Sequence, residues 1–346
     1  MNKLLLIFNL ISLVFSEPLI TKNMVDYINS KQNFWIAHES PRFTNYTVDK
    51  ISSLCGTFID NDYTLPLKIH DDLSLVNIPV EFDARTQWPQ CSTIGFARDQ
   101  ANCGSCWAFA STEAFNDRLC INSNGNFKQF LSTQATVDCC NLLHCFSFGC
   151  SGGQPAQAWN YFKSYGIVSG GNYEDIGKGQ DCLPYQVQTC SHHIDDPSLP
   201  TCDSTTSGKA GNCPTQCSEK TYSTSYSNDI HKIDNVYSLS GVQNIQSDIL
   251  AHGPVSAAFT VYEDFPSYKS GVYIYTTGKQ LGGHAVKIIG WGVEDGISYW
   301  TVMNSWNSGW GDNGAFKIRR GTDECGIESM GVNGGTFTNN KYLRIN

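Results

Sequence analysis

The chain is short of charge, short of basic residues in particular, and nearly devoid of membrane-length apolar runs. Only 16% of its 346 residues are charged, against 40% in the hydrophobic set. That balance supplies a sizeable core and excludes sustained disorder. Lys and Arg number 23 against 32 Asp and Glu, a formal net charge of −9. An acidic chain suits phosphate backbones poorly, so nucleic acid is not expected as a partner. After the N-terminus no apolar run is long enough to cross a bilayer, so no membrane role is expected. The length exceeds one small domain and suits two domains, or one domain with a processed segment.

The one long apolar run is at the start. Residues 1–16 read MNKLLLIFNLISLVFS, with Lys3 as the positive start, Leu4 to Phe15 mostly apolar, and Val14 and Ser16 suited to cleavage before Glu17. It is too short for an anchor and reads as a signal peptide. The secretory route brings the cysteines into an oxidising lumen. There are 15 of them, an odd number, so at least one stays unpaired or pairs between chains. Cys139, Cys140, Cys145 and Cys150, with Cys213 and Cys217, could bind zinc in a reducing compartment. In a secreted chain the same clusters read as disulfides that reinforce a real core.

Residues 17–77 differ in texture from the rest. They are rich in Asn and Asp, hold a single cysteine (Cys55), and place Val25, Ile28 and Trp35 on one predicted helical face. Asn45-Tyr46-Thr47 is a glycosylation sequon. About 60 residues make a marginal core alone, so a removable pro-segment fits better than a domain. From Ile78 the composition turns to Trp, Gly and Cys. Cys106 to Cys120 lacks Gly and Pro and predicts a helix, Ser132 to Val137 a second short one, and 165–220 reads as loops. Strands are predicted at 255–261, 271–275, 284–291, 299–304 and 315–319. Helices first and strands later argue for an α+β fold in two lobes, about 90–220 helical and about 221–346 β-rich.

The chemistry concentrates in Gln100-Ala-Asn-Cys-Gly-Ser-Cys-Trp-Ala-Phe109. A thiol opening a helix feels the positive end of the macrodipole, which favours the thiolate. Cys106 holds that place. Cys103 and Cys106 together also read as a C-x-x-C redox pair or a plain bridge, and the spacing alone leaves these readings open. A thiolate nucleophile needs a base and a group to orient it. His284, after Gly282-Gly283, and Asn304, in Asn304-Ser-Trp306, supply both types, and Cys, His and Asn in that order form a nucleophilic triad.

The segments QANCGSCWAF, LSTQATVDCC, CSGGQPAQAW, GGHAVKIIGWG and NSWNSGWGDNG resemble the papain-like cysteine proteases, and they cover nearly all of 78–346. Cys106 and His284 lie 178 residues apart, against about 130–150 in the common pattern. The excess falls near Cys190-Ser-His-His-Ile-Asp-Asp-Pro-Ser-Leu-Pro-Thr-Cys202, which looks like the occluding loop (190–202) of cathepsin B. The start Ile78-Pro-Val-Glu-Phe-Asp-Ala-Arg85 and the pro-segment stretch Cys55-Gly-Thr-Phe58 are similar to that family too.

The resemblance implies a two-lobed papain-like fold, helical on one side and β-barrel-like on the other, with the cleft between. It implies disulfides Cys91–Cys120, Cys103–Cys150, Cys139–Cys213, Cys140–Cys145, Cys182–Cys217 and Cys190–Cys202, with Cys55, Cys106 and Cys325 free. It implies peptide hydrolysis through a thioester, without cofactor or metal: Cys106 as nucleophile, His284 as acid–base, Asn304 orienting it, and Gln100 holding the oxyanion. Gly152 and Gly153 would line the substrate backbone, Trp306 would shield the His284–Asn304 bond and touch the leaving side, and His192 and His193 would grip a C-terminal carboxylate. Peptide and protein substrates, the chain's own propeptide and cystatin-like inhibitors are the implied partners. A monomer is the default, in lysosome-like vesicles or outside the cell. The rival reading is a catalytically inactive relative that binds proteins.

Four departures from the family pattern carry expectations. The loop has no Arg, and Gly309 stands where the Asp that tethers it would be, so the loop is expected to close less firmly, although the His192–Asp99 pair is retained. Met330 replaces a frequent Glu, so an apolar residue is expected in the second acyl-side pocket. Ala101 replaces a Gly, and a positive φ there would displace Gln100. Ser151 replaces an Asn, with a mild effect expected.

Overall fold

The computed structural model describes residues 18–40, 46–59, 64–70, 77–191, 197–201, 205 and 208–338. The apolar start (1–16), Asn45 of the sequon, Cys202 and the loop histidines His192 and His193 lie outside the described residues.

Eight α-helices and nine strands follow in chain order among the described residues. They are α1 (Lys22–Lys31), β1 (Trp35–Ala37), α2 (Val48–Ser52), β2 (Phe82–Asp83), α3 (Ala84–Gln87), α4 (Cys106–Asn122), α5 (Thr133–Cys139), α6 (Leu142–Cys145) and α7 (Pro155–Ser164). After a long irregular stretch come β3 (Asn235–Leu239), α8 (Val242–His252), β4 (Val255–Tyr262), β5 (Tyr268–Tyr273), β6 (Gln280–Glu294), β7 (Ile297–Met303), β8 (Ala315–Arg319) and β9 (Val332–Thr336). The strands run in the order β1-β5-β8-β7-β6-β4-β9-β3, with β2 paired to β6. Helices α4 to α7 share one core, and the sheet with α1, α2 and α8 shares the other, an α+β arrangement in two lobes. No helix among the described residues is long and apolar enough to cross a membrane.

The helix α4 is the pillar of the molecule. Residues Cys106 to Cys120 are buried on every side, charged members included. Burying charge is costly unless each group is paired, and here the partners come from the β-rich lobe. Lys287 of β6 lies 2.7 Å from Asp117 and 3.4 Å from Glu113. Arg118 pairs with Asp248 of α8 at 2.7 Å and also donates to the Tyr237 hydroxyl and the Gly335 carbonyl. The helix that opens with Cys106 is thus fastened across the lobe boundary.

Two expectations from the sequence need correction here. Trp35 does not share a helical face with Val25 and Ile28. The helix α1 stops at Lys31 because Gln32 turns extended and its Oε1 accepts from the backbone N–H groups of Phe34 and Trp35. Trp35 then enters β1, pairs with Gly271 of β5 and donates from its indole to the Ile274 carbonyl. The later half is not strands alone, since α8 and its Asp248 stand within it. The strands β3 and β9 there were not anticipated. Both are short, and β9 (VNGGT) carries two glycines that weaken any strand signal.

Five disulfides form as the resemblance implied: Cys91–Cys120, Cys103–Cys150, Cys139–Cys213, Cys140–Cys145 and Cys182–Cys217. Cys55, Cys106 and Cys325 are free, and Cys190 is oxidised. The last four pairs end the zinc reading, and the bridge to Cys150 removes Cys103 from any redox couple with Cys106. Cys325 is half-buried, and burial together with the nearby Glu324 pushes its thiol well up, so it is inert.

Candidate active site

Cys106 is the first residue of α4, where the N–H groups of the opening turn have no intrahelical partner. Its thiol is completely buried. Burial raises its pKa, yet the net effect is a fall below the ordinary thiol value. The His284 charge, the Thr57 hydroxyl and the Ala285 backbone together outweigh desolvation. His284 stands on β6 opposite Phe259 of β4, which fixes the ring from below. Its Nε2 lies 2.8 Å from Asn304 Oδ1, an oxygen that also accepts from the Ser305 N–H. With Nε2 held by Asn304, Nδ1 is the nitrogen left for the thiol, and it makes no well-aligned hydrogen bond in this resting arrangement. Trp306 is fully buried with its ring centroid 4.9 Å from the imidazole, covering the His284–Asn304 pair. Trp310 packs behind it and donates to the Pro266 carbonyl, a core position.

Gln100 is clamped on all sides. Its Oε1 accepts from Ser305 Oγ at 2.8 Å, and its backbone carbonyl accepts from the Tyr185 hydroxyl. Its Nε2 donates to Cys103 O at 2.7 Å and to Leu54 O, in the N-terminal segment, at 2.8 Å. Ala101 does adopt a positive φ, +52°, which costs a non-glycine residue about 1–2 kcal/mol. The turn is held by the Ala101 N–H on Asp99 Oδ1 at 2.7 Å, while Gln100 keeps its contacts with Ser305, Cys103 and Leu54.

The N-terminal segment fills the cleft. Thr57 places its hydroxyl 3.1 Å from Cys106 Sγ. Its neighbours bridge both walls: Thr57 N donates to Gly283 O, Phe58 N donates to Gly153 O, and Gly153 N donates to Gly56 O. Only glycines permit this approach. A Cβ on Gly56 would lie 1.9 Å from Gly104 O, one on Gly283 2.3 Å from Thr57 O, and one on Gly152 (φ +115°) 2.6 Å from the Phe58 ring. Beyond Phe58, a cavity of about 260 Å³ is lined by Leu65, Ala156, Leu239, Met330 and Val332. Met330 is half-buried there and its sulfur accepts from Thr260 Oγ1. The segment therefore runs from Gln100 and Trp306 towards Gly152, Gly153 and Met330.

The structure thus brings together Cys106, His284, Asn304, Gln100, Trp306, Gly152, Gly153 and, at the cavity, Met330. His192 and His193 are the two expected site residues outside the described set. Thr57, Ser305 and Tyr185 were missed. Ser305 lies inside the Asn304-Ser-Trp306 motif and was legible there; Tyr185 sits in a stretch that reads only as loop.

A family model described as papain family cysteine protease matches residues 78–334. Cathepsin B-like cysteine proteinase 4 of Caenorhabditis elegans is 44% identical over 92% of this chain and 93% of its own length. Cathepsin B-like cysteine proteinase 5 of the same organism is 42% identical over 90% and 89%. Among solved structures, proCathepsin B S9 from Trypanosoma congolense superposes with a TM-score of 0.77 at 31% identity, covering 92% of this chain and 99% of that one. A digestive procathepsin L2 proteinase from Tenebrio molitor larval midgut reaches 0.68 at 28% identity, covering 91% and 89%. A thiol activated at a helix start, an oriented imidazole and a cleft closed by the chain's own N-terminal segment agree with these likenesses, and the chain belongs to the papain family of cysteine proteases, as a cathepsin B-like peptidase in its proform.

Proposed function

We propose that the enzyme cleaves proteins internally and also removes C-terminal dipeptides, after loss of a pro-segment spanning 17–77 leaves a mature peptidase of 78–346. The observation that carries the reading is the Cys106–His284–Asn304 arrangement with its lowered thiol pKa. Cys106 attacks the scissile carbonyl to give a thioester. His284 protonates the leaving amine and then activates water, while Asn304 holds the ring and Trp306 covers their bond. Gln100 Nε2 and the Cys106 backbone N–H stabilise the oxyanion. That the same Nε2 is taken by the Leu54 carbonyl in the proform supports this role. Gly152 and Gly153 carry the substrate backbone. Substrate runs opposite to the pro-segment, so the latter is held where hydrolysis cannot follow.

Dipeptide release is assigned to the 190–202 loop, with His192 and His193 receiving the terminal carboxylate. The base of that loop is drawn together by the Ser191 N–H on Pro200 O at 2.9 Å. Without a loop Arg, and with Gly309 in place of the tethering acid, internal cleavage takes a larger share. Met330 and its apolar neighbours favour Phe, Leu or Val over Arg in the second acyl-side pocket, by about 1–3 kcal/mol. The apolar start assigns the enzyme to the secretory pathway, in a lysosome-like vesicle or outside the cell. The test is the product pattern on one peptide with free and with amidated C-terminus. Both forms should be cut internally and only the free form should lose a dipeptide; no dipeptide from the free form removes the carboxydipeptidase assignment.

A further inference from the structure

The pro-segment touches the body at a second place, well separated in sequence from its cleft contact. Thr64 to His70 (TLPLKIH) forms a strap along β3, which ends the sheet. Leu67 bridges Ser238 in parallel, with Ser238 N donating to Pro66 O and Lys68 N donating to Ser238 O. Leu65 is buried in the helical-lobe core. On α8, Asn244 and Asp248 lie one turn apart and share a face. Asn244 reads the strap backbone in both directions, its Nδ2 donating to Lys68 O and its Oδ1 accepting from the His70 N–H. Asp248, completely buried, accepts at one oxygen from Lys68 Nζ (3.1 Å), His70 Nε2 (2.9 Å) and the Tyr237 hydroxyl (2.9 Å). Its other oxygen is taken by Arg118. The Lys68 ammonium also sits 4.2 Å over the Tyr237 ring.

Most of these contacts are independent of what the strap is. A free sheet edge, an amide that pairs with any backbone and a buried carboxylate together accept an extended chain with cations two residues apart. The site adjoins the Met330 cavity, whose lining includes Leu65, Leu67, Ser238 and Leu239. Thr57, at Cys106, and Leu67, at Ser238, are ten residues apart.

Resting on the peptidase reading and substrate direction above, we propose that β3, Asn244 and Asp248 form a second peptide-binding site. In the mature enzyme, that site takes an extended cationic stretch of a protein substrate, about ten residues before the scissile bond; because substrate runs opposite to the strap, this stretch lies antiparallel to β3 and presents its cations in the order His-x-Lys. Once the strap has left, the Ser238 backbone and the Asn244 amide regain these partners only by binding such a chain or water, and the Asp248 oxygen that held Lys68 and His70 keeps only the Tyr237 hydroxyl. The site selects long substrates over short ones without touching the reacting atoms.

The test uses the mature enzyme and the synthetic peptide TLPLKIH. The peptide should bind, should inhibit cleavage of a long substrate that carries His-x-Lys ten residues upstream, and should leave turnover of a blocked dipeptidyl amide unchanged. Replacing its Lys and His by Ala should weaken binding about tenfold, the loss expected for two partly screened charge-assisted hydrogen bonds. Asn244→Ala enzyme, with folding checked by its melting temperature, should bind the peptide more weakly. Two long substrates that differ only in His-x-Lys against Ala-x-Ala should differ in KM and not in kcat. Absence of peptide binding, equal inhibition of the dipeptidyl amide, or equal KM values would overturn the proposal. Failure to hydrolyse the dipeptidyl amide at all would instead remove the peptidase reading itself.

Discussion

Two of the pro-segment's grips on the body differ in kind. In the cleft, Gly56 to Phe58 is gripped by backbone hydrogen bonds between two glycine walls, and Thr57 alone adds a side-chain contact to the thiol. At the strap, Lys68 and His70 are gripped through a buried carboxylate. The first grip depends on shape and ignores the proton concentration; the second depends on charge. Latency against the nucleophile is therefore a steric property, while the strap makes attachment sensitive to its surroundings.

The largest effect should come from the nucleophile. Cys106→Ala should abolish hydrolysis, while an added pro-segment should bind the mature variant nearly as tightly as the parent, since backbone contacts carry the cleft grip. A large loss of affinity would shift the grip onto the Thr57–Cys106 contact. Next, Gly56→Ala places a methyl group against the Gly104 carbonyl, and overpacking of that kind costs about 1–3 kcal/mol. The unprocessed proform of this variant should hydrolyse a small substrate at a rate raised by roughly 5- to 150-fold. No change would show that contacts outside the cleft maintain latency.

Lys68→Ala with His70→Ala should speed release of the pro-segment about tenfold without unblocking the cleft of the intact proform. His252 sharpens the pH contrast. Its ring lies 6.2 Å from that of His70, and burial, then Arg118, with Lys68 and His70 adding to it and Asp248 opposing, brings its pKa down to about 4. A folded-state pKa below the ordinary 6.5 means that stability present above 6.5 is lost as the pH falls towards 4. Because Lys68 and His70 add to the lowering, departure of the strap lets the His252 pKa rise, so dissociation of the pro-segment should accelerate as the pH falls through that window, and His252→Gln should flatten the profile. Smallest of all, Ala101→Gly should relieve the positive φ and raise stability by about 1 kcal/mol, read as a higher melting temperature with Gln100 still in place.

The proposed catalytic set was legible because each member is a rare residue type inside a compact motif. The helix start of Cys106, the Gly-Gly before His284 and the Asn304-Ser-Trp306 run each announce local geometry. The strap was not legible. Lys68, His70, Asn244 and Asp248 are ordinary residues spread over 180 positions, and only the tertiary fold joins them. Trp35 was misplaced for a related reason: its spacing from Val25 and Ile28 satisfies a helical period, yet the Gln32 side chain ends the helix before the period can apply. The strands β3 and β9 were hidden because what defines them is each other's edge rather than their own alternation.

The ionised side chains of α4 have a mechanical consequence. Glu113, Asp117 and Arg118 find their counter-ions on β6 and α8, across the divide between lobes. Prising the lobes apart would strand these charges in an apolar interior, at several kcal/mol for each pair broken. The gap in which peptides are cut is therefore rigid, its width decided when the protein folds, and a polypeptide must thread it as it stands instead of bending the enzyme around itself.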